Sequence, residues 1–292
     1  MSWIFRRWRR ASVVSAPSEP AAPDGYLYGE SDAETSRLNF QHYMFRLAFN
    51  GDYSAPILGT GDILDVACGT GRWARDVARR FPSANVVGFD LSRTLLDASL
   101  AEGTDTMPEN CAFVYGDALQ PFAFPERVFS FVMARACSSF IPSAQWPQVV
   151  SEMARVTRPG GFVEVRDFGL VRSANAAVNA LTVHFANLAQ ARGIHPGAGP
   201  FLKSFLTAAR LGDVRVQQVR LRSGVKRGTR AGQLMLADYL AVMERVTPAI
   251  AQAGLASAEE WRQLVAQART ETRAFPDEQY AEVELTAAYG RR

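Results

Sequence analysis

Cysteine is scarce in this chain. Cys68, Cys111 and Cys137 are the only three among 292 residues, too few and too scattered for a disulfide framework or a zinc site. We therefore expect no bound metal. Free thiols in apolar, strand-like surroundings indicate a reducing compartment, with the cytoplasm as the expected location.

Long hydrophobic runs are also missing. No apolar stretch approaches the roughly 18 residues needed to span a bilayer, so the sequence predicts no stable membrane insertion. A broad excess of positive charge is missing too. The net charge of +3 is concentrated in residues 1–10, which hold four of the 32 basic residues and no acid, leaving 28 against 29 acidic residues elsewhere. Such a balance argues against nucleic acid as a partner and favours a small-molecule substrate.

The first 25 residues differ from the rest. Trp3, Phe5 and Trp8 alternate with arginines, and an Ala/Ser/Pro-rich segment follows up to Pro23. A disordered tail is the favoured interpretation, and weak binding to an anionic membrane surface is the alternative. The tail has no apolar core of the length that a secretory signal needs.

A helical cap is predicted for residues 26–58. Residues 30–49 have a helical pattern, with Ser31 or Asp32 as the N-cap and Asn50-Gly51 as the end. From residue 59 to 172 strands alternate with helices, which predicts a parallel sheet. The strands are expected at 62–67, 85–89, 112–115, 128–134 and 162–166.

Residues 173–292 are mainly helical, with stretches at 174–192, 200–211, 231–253 and 258–274. Two further strands are expected at 214–221 and 281–289, which would complete a seven-stranded sheet below these helical additions. Ser257 and Glu260 have the spacing of a capping box.

The strongest local signal lies at residues 62–71. An apolar strand runs into a glycine-rich turn and then directly into a helix. Gly69 and Gly71 allow a sharp turn and the close approach of a ligand, although a tight strand-to-helix turn without a ligand is the plainer alternative.

Two more acidic residues follow strand ends. Asp90 ends the second strand, about twenty residues beyond the glycines, where a carboxylate receives ribose hydroxyls. Asp117 follows the third strand, where a carboxylate can accept a hydrogen bond from an adenine amino group. Each alone is typical of a surface turn, but three strand ends with fitting groups together indicate a nucleoside site.

This set resembles the class I S-adenosylmethionine-dependent methyltransferases over residues 60–168. Residues 65–71 resemble the family's motif Asp-x-Gly-x-Gly-x-Gly, with Ala67 in place of the first glycine, and residues 158–161 resemble its Pro-Gly-Gly turn. The resemblance implies S-adenosylmethionine as cofactor and a Rossmann-like α/β fold with strand order 3-2-1-4-5-7-6. The expected cofactor-binding residues are Asp65, Ala67, Gly69, Gly71, Asp90, Leu91, Asp117, Ala118 and Arg135.

A narrower similarity concerns residues that precede the sheet. Glu34, Arg37, Leu38, Gln41 and His42, together with Gly71-x-Trp73, resemble a subfamily of fungal velvet-associated regulators and of secondary-metabolism methyltransferases. The resemblance implies that the helix over residues 37–49 packs near the cofactor.

Methyl transfer from a sulfonium needs mainly alignment of the acceptor, which contributes roughly 7–11 kcal/mol. A general base helps only a weakly acidic acceptor such as a hydroxyl. His184 and His195 are the catalytic candidates, although a structural role is the plainer interpretation of each. The residues expected to contact the acceptor are Tyr28, His42, Trp146 and Phe201.

Six basic residues between 215 and 230 have no acid among them. A solvated surface is the favoured interpretation. A site for an anionic acceptor or a partner is the alternative.

Two other functions fit parts of the pattern. Residues 69–74 also match the Gly-x-Gly-x-x-Gly/Ala fingerprint of nicotinamide-dependent oxidoreductases, but that fingerprint does not require Asp65 or Asp117, and no Tyr-x-x-x-Lys pair follows. A methyltransferase-like regulatory or binding subunit is the second alternative, which the intact cofactor residues disfavour.

Overall fold

The computed structural model describes residues 31–101, 107–224, 228–274 and 280–292. The tail predicted at 1–25 and the predicted acceptor contact Tyr28 lie outside the described residues. The helices are α1 (Asp32–Phe49), α2 (Arg72–Arg80), α3 (Arg93–Ala101), α4 (Trp146–Val156), α5 (Ala176–Ala191), α6 (Leu202–Ala208), α7 (Arg230–Arg245), α8 (Thr247–Gln252) and α9 (Ala258–Glu271). The strands are β1 (Gly61–Val66), β2 (Ala84–Asp90), β3 (Cys111–Tyr115), β4 (Phe129–Arg135), β5 (Thr157–Phe168), β6 (Arg172–Ser173), β7 (Gly212–Ser223) and β8 (Ala281–Arg291).

The sheet confirms the predicted Rossmann-like order. Its strands lie in the order β3-β2-β1-β4-β5-β8, and β7 pairs with the outer side of β8. The first five strands pair in parallel with one another, whereas β8 is antiparallel to both β5 and β7. The one difference is β6, a two-residue strand that pairs with the start of β8 and makes the sheet eight-stranded.

Alternate residues of the central strand β1 face opposite layers, as the pleat requires. Ile63 packs in a cluster with α2 and α3, while Leu64 and Val66 pack in a second cluster with α4 and α6. Both faces are covered, so β1 is apolar along most of its length. This burial fixes the strand ends at one edge of the sheet.

Helix ends follow the predicted capping signals in two places. The Ser31 hydroxyl accepts a hydrogen bond from the Glu34 amide at 3.2 Å and caps α1. Ser257 and Glu260 form the expected capping box of α9. One predicted helix is divided, because α7 ends at Arg245 and Pro248, which lacks an amide hydrogen, lies in the first turn of α8.

A third cluster joins α1, α5, α7, α8 and α9, here called the cap helices, to β8. Trp261 is fully buried at its centre, and its indole donates to the Met243 carbonyl at 2.6 Å. The cap helices therefore pack on the sheet as one apolar layer. Within the described residues, no helix is both long and apolar enough to cross a membrane.

The three cysteines are buried and unpaired. Cys68 follows β1, Cys111 begins β3 and Cys137 follows β4. Burial raises the pKa of the Cys111 thiol to about 12 and that of the other two thiols above its usual range. All three are therefore held as uncharged thiols in the folded protein.

The basic segment predicted around residues 215–230 lies partly on the edge strand β7. Arg222 faces Glu282 of β8 at 3.4 Å, and Arg220 faces Glu284 at 3.9 Å. Two of its arginines are thus paired across strands with acids that are distant in sequence. Lys226 and Arg227 lie outside the described residues.

Candidate active site

A cavity of about 230 Å³ lies between the strand ends and the cap helices. Residues of both layers line it. The sheet side contributes Ala67, Gly69, Asp90, Leu91, Asp117, Ala118 and Arg135, and the cap side contributes Arg37, Gln41, Thr182, Phe185, Met235, Asp238 and Tyr239. Most of the predicted cofactor residues are thereby brought together.

Asp90 connects two strand ends. Its carboxylate accepts one hydrogen bond from the Gly69 amide and another from the Ser92 amide, each at 2.8 Å. The side chain thus holds the glycine turn against the end of β2. Each carboxylate oxygen has a second lone pair, so Asp90 can still receive hydroxyl groups of a ligand.

Gly71 has a packing role. It adopts a φ of +66°, and a Cβ there would lie 2.2 Å from the Phe113 ring. Only glycine lets α2 begin this close to β3. Gly71 is absent from the cavity wall, so the structure does not bring it into contact with a ligand in that cavity.

Ala67 lies where the motif of the resembling family has glycine. Its φ of +52° is in the left-handed region, which costs an alanine roughly 1–2 kcal/mol. The turn therefore keeps the glycine conformation despite the side chain. Strained backbone of this kind is concentrated at ligand-binding turns.

The third strand end also lines the strand side of the cavity. The Asp117 carboxylate accepts a hydrogen bond from the Leu119 amide at 2.8 Å, which fixes the turn after β3. Asp117, Ala118 and Leu91 all line the cavity. The arrangement offers a carboxylate beside apolar surface, which suits a flat heterocycle with an amino group.

A side chamber of about 60 Å³ adjoins the main cavity, and Asp65 and Arg135 lie in its wall. Within the described residues, Asp65 Oδ2 and Arg135 Nε are buried with no hydrogen-bond partner. Burial raises the pKa of Asp65 to about 7; Arg135 lowers it and Asp90 raises it further. An acceptor and a donor are thus both available here for a zwitterionic group.

His42 also lines the side chamber, although it was expected to contact the acceptor. Its Nε2 lies 3.1 Å from Asp76 Oδ2, and its Nδ1 lies 3.3 Å from Arg135 Nη1. A guanidinium can only donate, so Nδ1 accepts and Nε2 donates. With both nitrogens engaged and 3% of its surface exposed, His42 has no free nitrogen for an acceptor.

A buried ionic network holds two cap helices together above the cavity. The Arg37 guanidinium donates to both Glu34 oxygens at 2.8 and 2.6 Å and to Asp238 Oδ1 at 2.8 Å. Gln41 donates to the other Asp238 oxygen at 3.2 Å, and Arg245 lies 3.0 Å from Glu34. These contacts join α1 to α7. They explain why Glu34, Arg37 and Gln41 belong together in the sequence.

The two catalytic candidates have different surroundings. His195 lines the cavity and stacks on Phe201 with a centroid distance of 4.6 Å. Burial lowers the pKa of His195, so its imidazole is neutral at neutral pH. His184 instead stacks on Trp261 at 5.9 Å and does not line the cavity, because its side of α5 faces α9.

The expected acceptor contacts Trp146 and Phe201 lie behind the cavity wall. Trp146 is fully buried and stacks on Phe205 at 5.3 Å. Phe201 is 44% exposed and stacks on His195. Phe201 and Phe205 contact the His195 ring, and neither Trp146 nor Phe201 lies in the wall of the main cavity.

Sequence reasoning missed several wall residues. Ser138 lines the cavity, and its hydroxyl donates to Asp167 at 2.6 Å. Burial raises the pKa of Asp167 to about 6, against hydrogen bonds from Ser138 and neighbouring amides that lower it. Asp167 lies near the end of β5, so the strand-end argument that found Asp65 and Asp90 would also have found it. No comparable signal marks Met235 or Tyr239.

No cluster of three or more metal-ligating side chains occurs in the described part of the chain.

Residues 63–161 match the family model described as a methyltransferase domain. The chain is 29% identical over 211 residues to the methyltransferase str3 of Strobilurus tenacellus, covering 70% of this chain and 73% of that protein. It is 32% identical over 143 residues to the secondary metabolism regulator laeA of Aspergillus flavus, covering 48% of this chain. The match spans only 36% of that regulator's length.

The fold is shared with a solved structure, Haemonchus contortus phosphoethanolamine N-methyltransferase 2 in complex with S-adenosyl-L-methionine. The superposition has a TM-score of 0.51 at 16% identity and covers 92% of this chain and 55% of that chain. The likeness at this identity concerns the fold alone.

Proposed function

We propose that the chain, whose residues 63–161 match a methyltransferase domain, is a class I S-adenosylmethionine-dependent methyltransferase and that it transfers a methyl group to a small, largely apolar molecule. One observation carries the proposal. A single cavity has polar strand ends on one side and the apolar surface of the cap helices on the other. The first side suits the cofactor, and the second suits the acceptor.

The strand-end residues fit the polar groups of S-adenosylmethionine. Asp90 would receive the ribose hydroxyls, and Asp117 would accept from the adenine amino group. In the side chamber, Asp65 would face the ammonium group and Arg135 the carboxylate of the methionine end. The unpartnered Asp65 Oδ2 and Arg135 Nε support this placement, because a bound zwitterion would satisfy both atoms.

The cap side of the cavity favours an acceptor with little charge. Phe185, Met235, Val242 and Met243 line it. The charged groups there, Arg37 and Asp238, are already paired with each other at 2.8 Å. An anionic or cationic acceptor would have to compete with that buried pair, so an apolar molecule with one hydrogen-bonding group fits best.

The cofactor supplies an electrophilic methyl group. The chain's own residues bind the two reactants, align them and exclude water. For a hydroxyl acceptor, neutral His195 can take the proton at an unprotonated ring nitrogen. The Ser138 hydroxyl donates to Asp167, so its lone pairs can accept a hydrogen bond from a different donor group of the acceptor molecule. Both side chains lie in the cavity wall.

The free, buried thiols support the cytoplasm as the location of this activity. The balanced charge outside residues 1–10 supports a small molecule over nucleic acid as the substrate.

Calorimetry with S-adenosylhomocysteine and NAD tests the cofactor assignment. We expect S-adenosylhomocysteine to bind and to raise the melting temperature, and NAD to do neither. Binding of NAD without binding of S-adenosylhomocysteine would refute it. Labelled S-adenosylmethionine, offered with neutral aromatic, anionic and cationic small molecules and with RNA, tests the acceptor class. Labelling confined to charged molecules or to RNA would contradict the proposed acceptor.

Similarity to a protein named as a secondary metabolism regulator favours a second candidate. In that case the chain would bind the cofactor and act as a regulatory or binding subunit. Tight binding of S-adenosylhomocysteine with no transfer to any acceptor, alone or with partner proteins, would favour this candidate.

A further inference from the structure

His42 sits between two charged groups from different elements. On one side Asp76 of α2 is 3.1 Å from Nε2, and on the other side Arg135 of β4 is 3.3 Å from Nδ1. The imidazole therefore links a surface-facing carboxylate to a guanidinium that lines the side chamber. This link is not part of the hydrophobic packing of α1.

We infer that His42 is a positioning residue, which as a neutral imidazole orients Arg135 toward the carboxylate of S-adenosylmethionine and releases it when protonated. The inference rests on the proposed placement of the methionine end of the cofactor in the side chamber. His42 itself would not contact the cofactor carboxylate.

The geometry requires one tautomer. Arg135 can only donate, so Nδ1 must be unprotonated, and the proton on Nε2 is held by the Asp76 carboxylate. Asp76 is in turn fixed by Arg46 Nη1 at 3.3 Å and Arg79 Nη1 at 3.3 Å. A network of exposed arginines thus anchors the far end of the link.

Arg135 has few other constraints. Its Nε has no hydrogen-bond partner within the described residues. Its guanidinium carbon lies over the rings of Phe45 at 6.0 Å and Trp73 at 5.9 Å, which support its plane without setting a direction. His42 Nδ1 is the hydrogen-bonding contact that sets how the guanidinium is turned.

Protonation of His42 would break the link. A proton on Nδ1 removes the acceptor for Arg135 and places two cations side by side. Burial lowers the pKa of His42, as does nearby Arg135, while Asp76 and Asp52 raise it. The net pKa lies below 6.5, so the neutral, orienting form prevails at neutral pH and is lost as the pH falls.

The test compares His42→Leu and His42→Gln by calorimetry with S-adenosylhomocysteine at about pH 7.5 and about pH 5.5. Leucine removes the link, so we expect affinity about tenfold weaker than wild type at the higher pH. Glutamine can accept from Arg135 and donate to Asp76 but cannot be protonated. We expect this variant to stay within about threefold of wild type at pH 7.5 and to lose less affinity than wild type on acidification.

Asp65 contributes to the acid loss in every variant, because its pKa is raised to about 7. The difference in pH dependence between wild type and His42→Gln isolates His42. Circular dichroism checks that the variants are folded, and if His42→Leu fails to fold, the glutamine comparison decides alone.

The inference is overturned if folded His42→Leu binds as wild type does, or if His42→Gln loses affinity with pH as steeply as wild type. Failure of the wild type to bind S-adenosylhomocysteine at both pH values would instead refute the proposed function. If wild type binds S-adenosylhomocysteine and both variants have the same affinity and pH dependence as wild type, only the role of His42 is refuted.

Discussion

The strand ends and the cap helices form the two sides of one cavity by different means. On the strand side, Asp65, Asp90 and Asp117 lie at or just after the carboxyl ends of neighbouring parallel strands, so the register of the sheet places them. On the cap side, Arg37 and Asp238 meet at 2.8 Å across 201 residues. Sheet register positions the residues of the strand side, whereas contacts between particular buried side chains position those of the cap side. The two sides should therefore respond differently to substitution.

Arg37→Leu should have the largest effect on stability, and it should disrupt the packing of the cap helices without changing the sheet. Both buried partners of Arg37 lose a charged contact, and removal of one member of a buried ion pair costs roughly 3–5 kcal/mol. We expect a loss of this order in the free energy of unfolding, measured by urea denaturation. Without urea, the far-ultraviolet circular dichroism spectrum of the variant should match that of wild type, because the sheet is still folded.

The matched control is Arg262→Leu. Arg262 lies 4.0 Å from Glu259 on the surface of α9, with both side chains more than 60% exposed. A change above about 1 kcal/mol there would show that the comparison of Arg37 with a surface arginine is unsound.

Asp90→Ala should have the next largest effect, and it should disrupt ligand binding on the strand side of the cavity. The carboxylate holds Gly69 and Ser92 by their amides and would receive the ribose hydroxyls, and hydrogen bonds to a charged group contribute about 1.5–3 kcal/mol each. We expect affinity for S-adenosylhomocysteine to fall at least about tenfold, measured by calorimetry. Asp62→Ala, at the other end of β1, should leave it unchanged. Equal affinity in both variants would show that Asp90 does not bind the cofactor.

The difference between the two sides also explains what the sequence predicted. Asp90 and Asp117 could be placed because a parallel sheet brings successive strand ends to one edge. The pairing of Arg37 with Asp238 could not, because helix periodicity says which face is apolar but not which distant helix it meets. Helix periodicity likewise does not show which side of α5 faces the cavity. His184 was expected in the site, but its side of α5 faces Trp261.

The N-terminal residues show the limit of the resemblance. The family resemblance groups Glu34, Arg37 and Gln41 in the sequence, and the structure shows that they share one buried ionic network. Their spacing puts them on one face of α1, but nothing in the spacing identifies Asp238 or Arg245 as partners. Trp146 was predicted to contact the acceptor, but it begins α4 and is fully buried. A tryptophan in the connection after a strand is compatible with either a site wall or a core.

Asp65→Asn should have opposite effects on stability and on cofactor binding, which tests whether this residue of the strand side serves binding at the expense of stability. In the folded protein the pKa of Asp65 is raised to about 7 by burial, above its unfolded value near 4. Its ionisation therefore opposes folding as the pH rises from about 4 to above 7. At about pH 8 we expect asparagine to raise the free energy of unfolding by on the order of 1–3 kcal/mol while weakening cofactor binding.

Thermal melts without ligand at about pH 8 and about pH 4 measure this effect. The variant and wild type should nearly converge at the lower pH, where Asp65 is protonated in the folded state and about half protonated in the unfolded state. A stabilisation that persists unchanged at low pH would contradict the assigned titration.

Ala67→Gly should give the smallest change. Glycine adopts the observed φ of +52° without strain, which offsets its greater unfolded-state entropy, so we expect a gain of about 0.5–1 kcal/mol in stability. The melting temperature should rise slightly, and cofactor affinity should be unchanged or higher. A loss of stability would show that the turn is not strained by alanine.

The three buried thiols have a practical consequence. Because Cys68, Cys111 and Cys137 are buried and protonated in the folded protein, we expect an alkylating reagent to modify them mainly during transient opening events. Cys68 lies in the glycine turn and lines the side chamber, and Cys137 lies in the segment that follows β4. Mass spectrometry of each alkylated peptide over time would thus yield three opening rates from the unmodified sequence, without the introduction of any label.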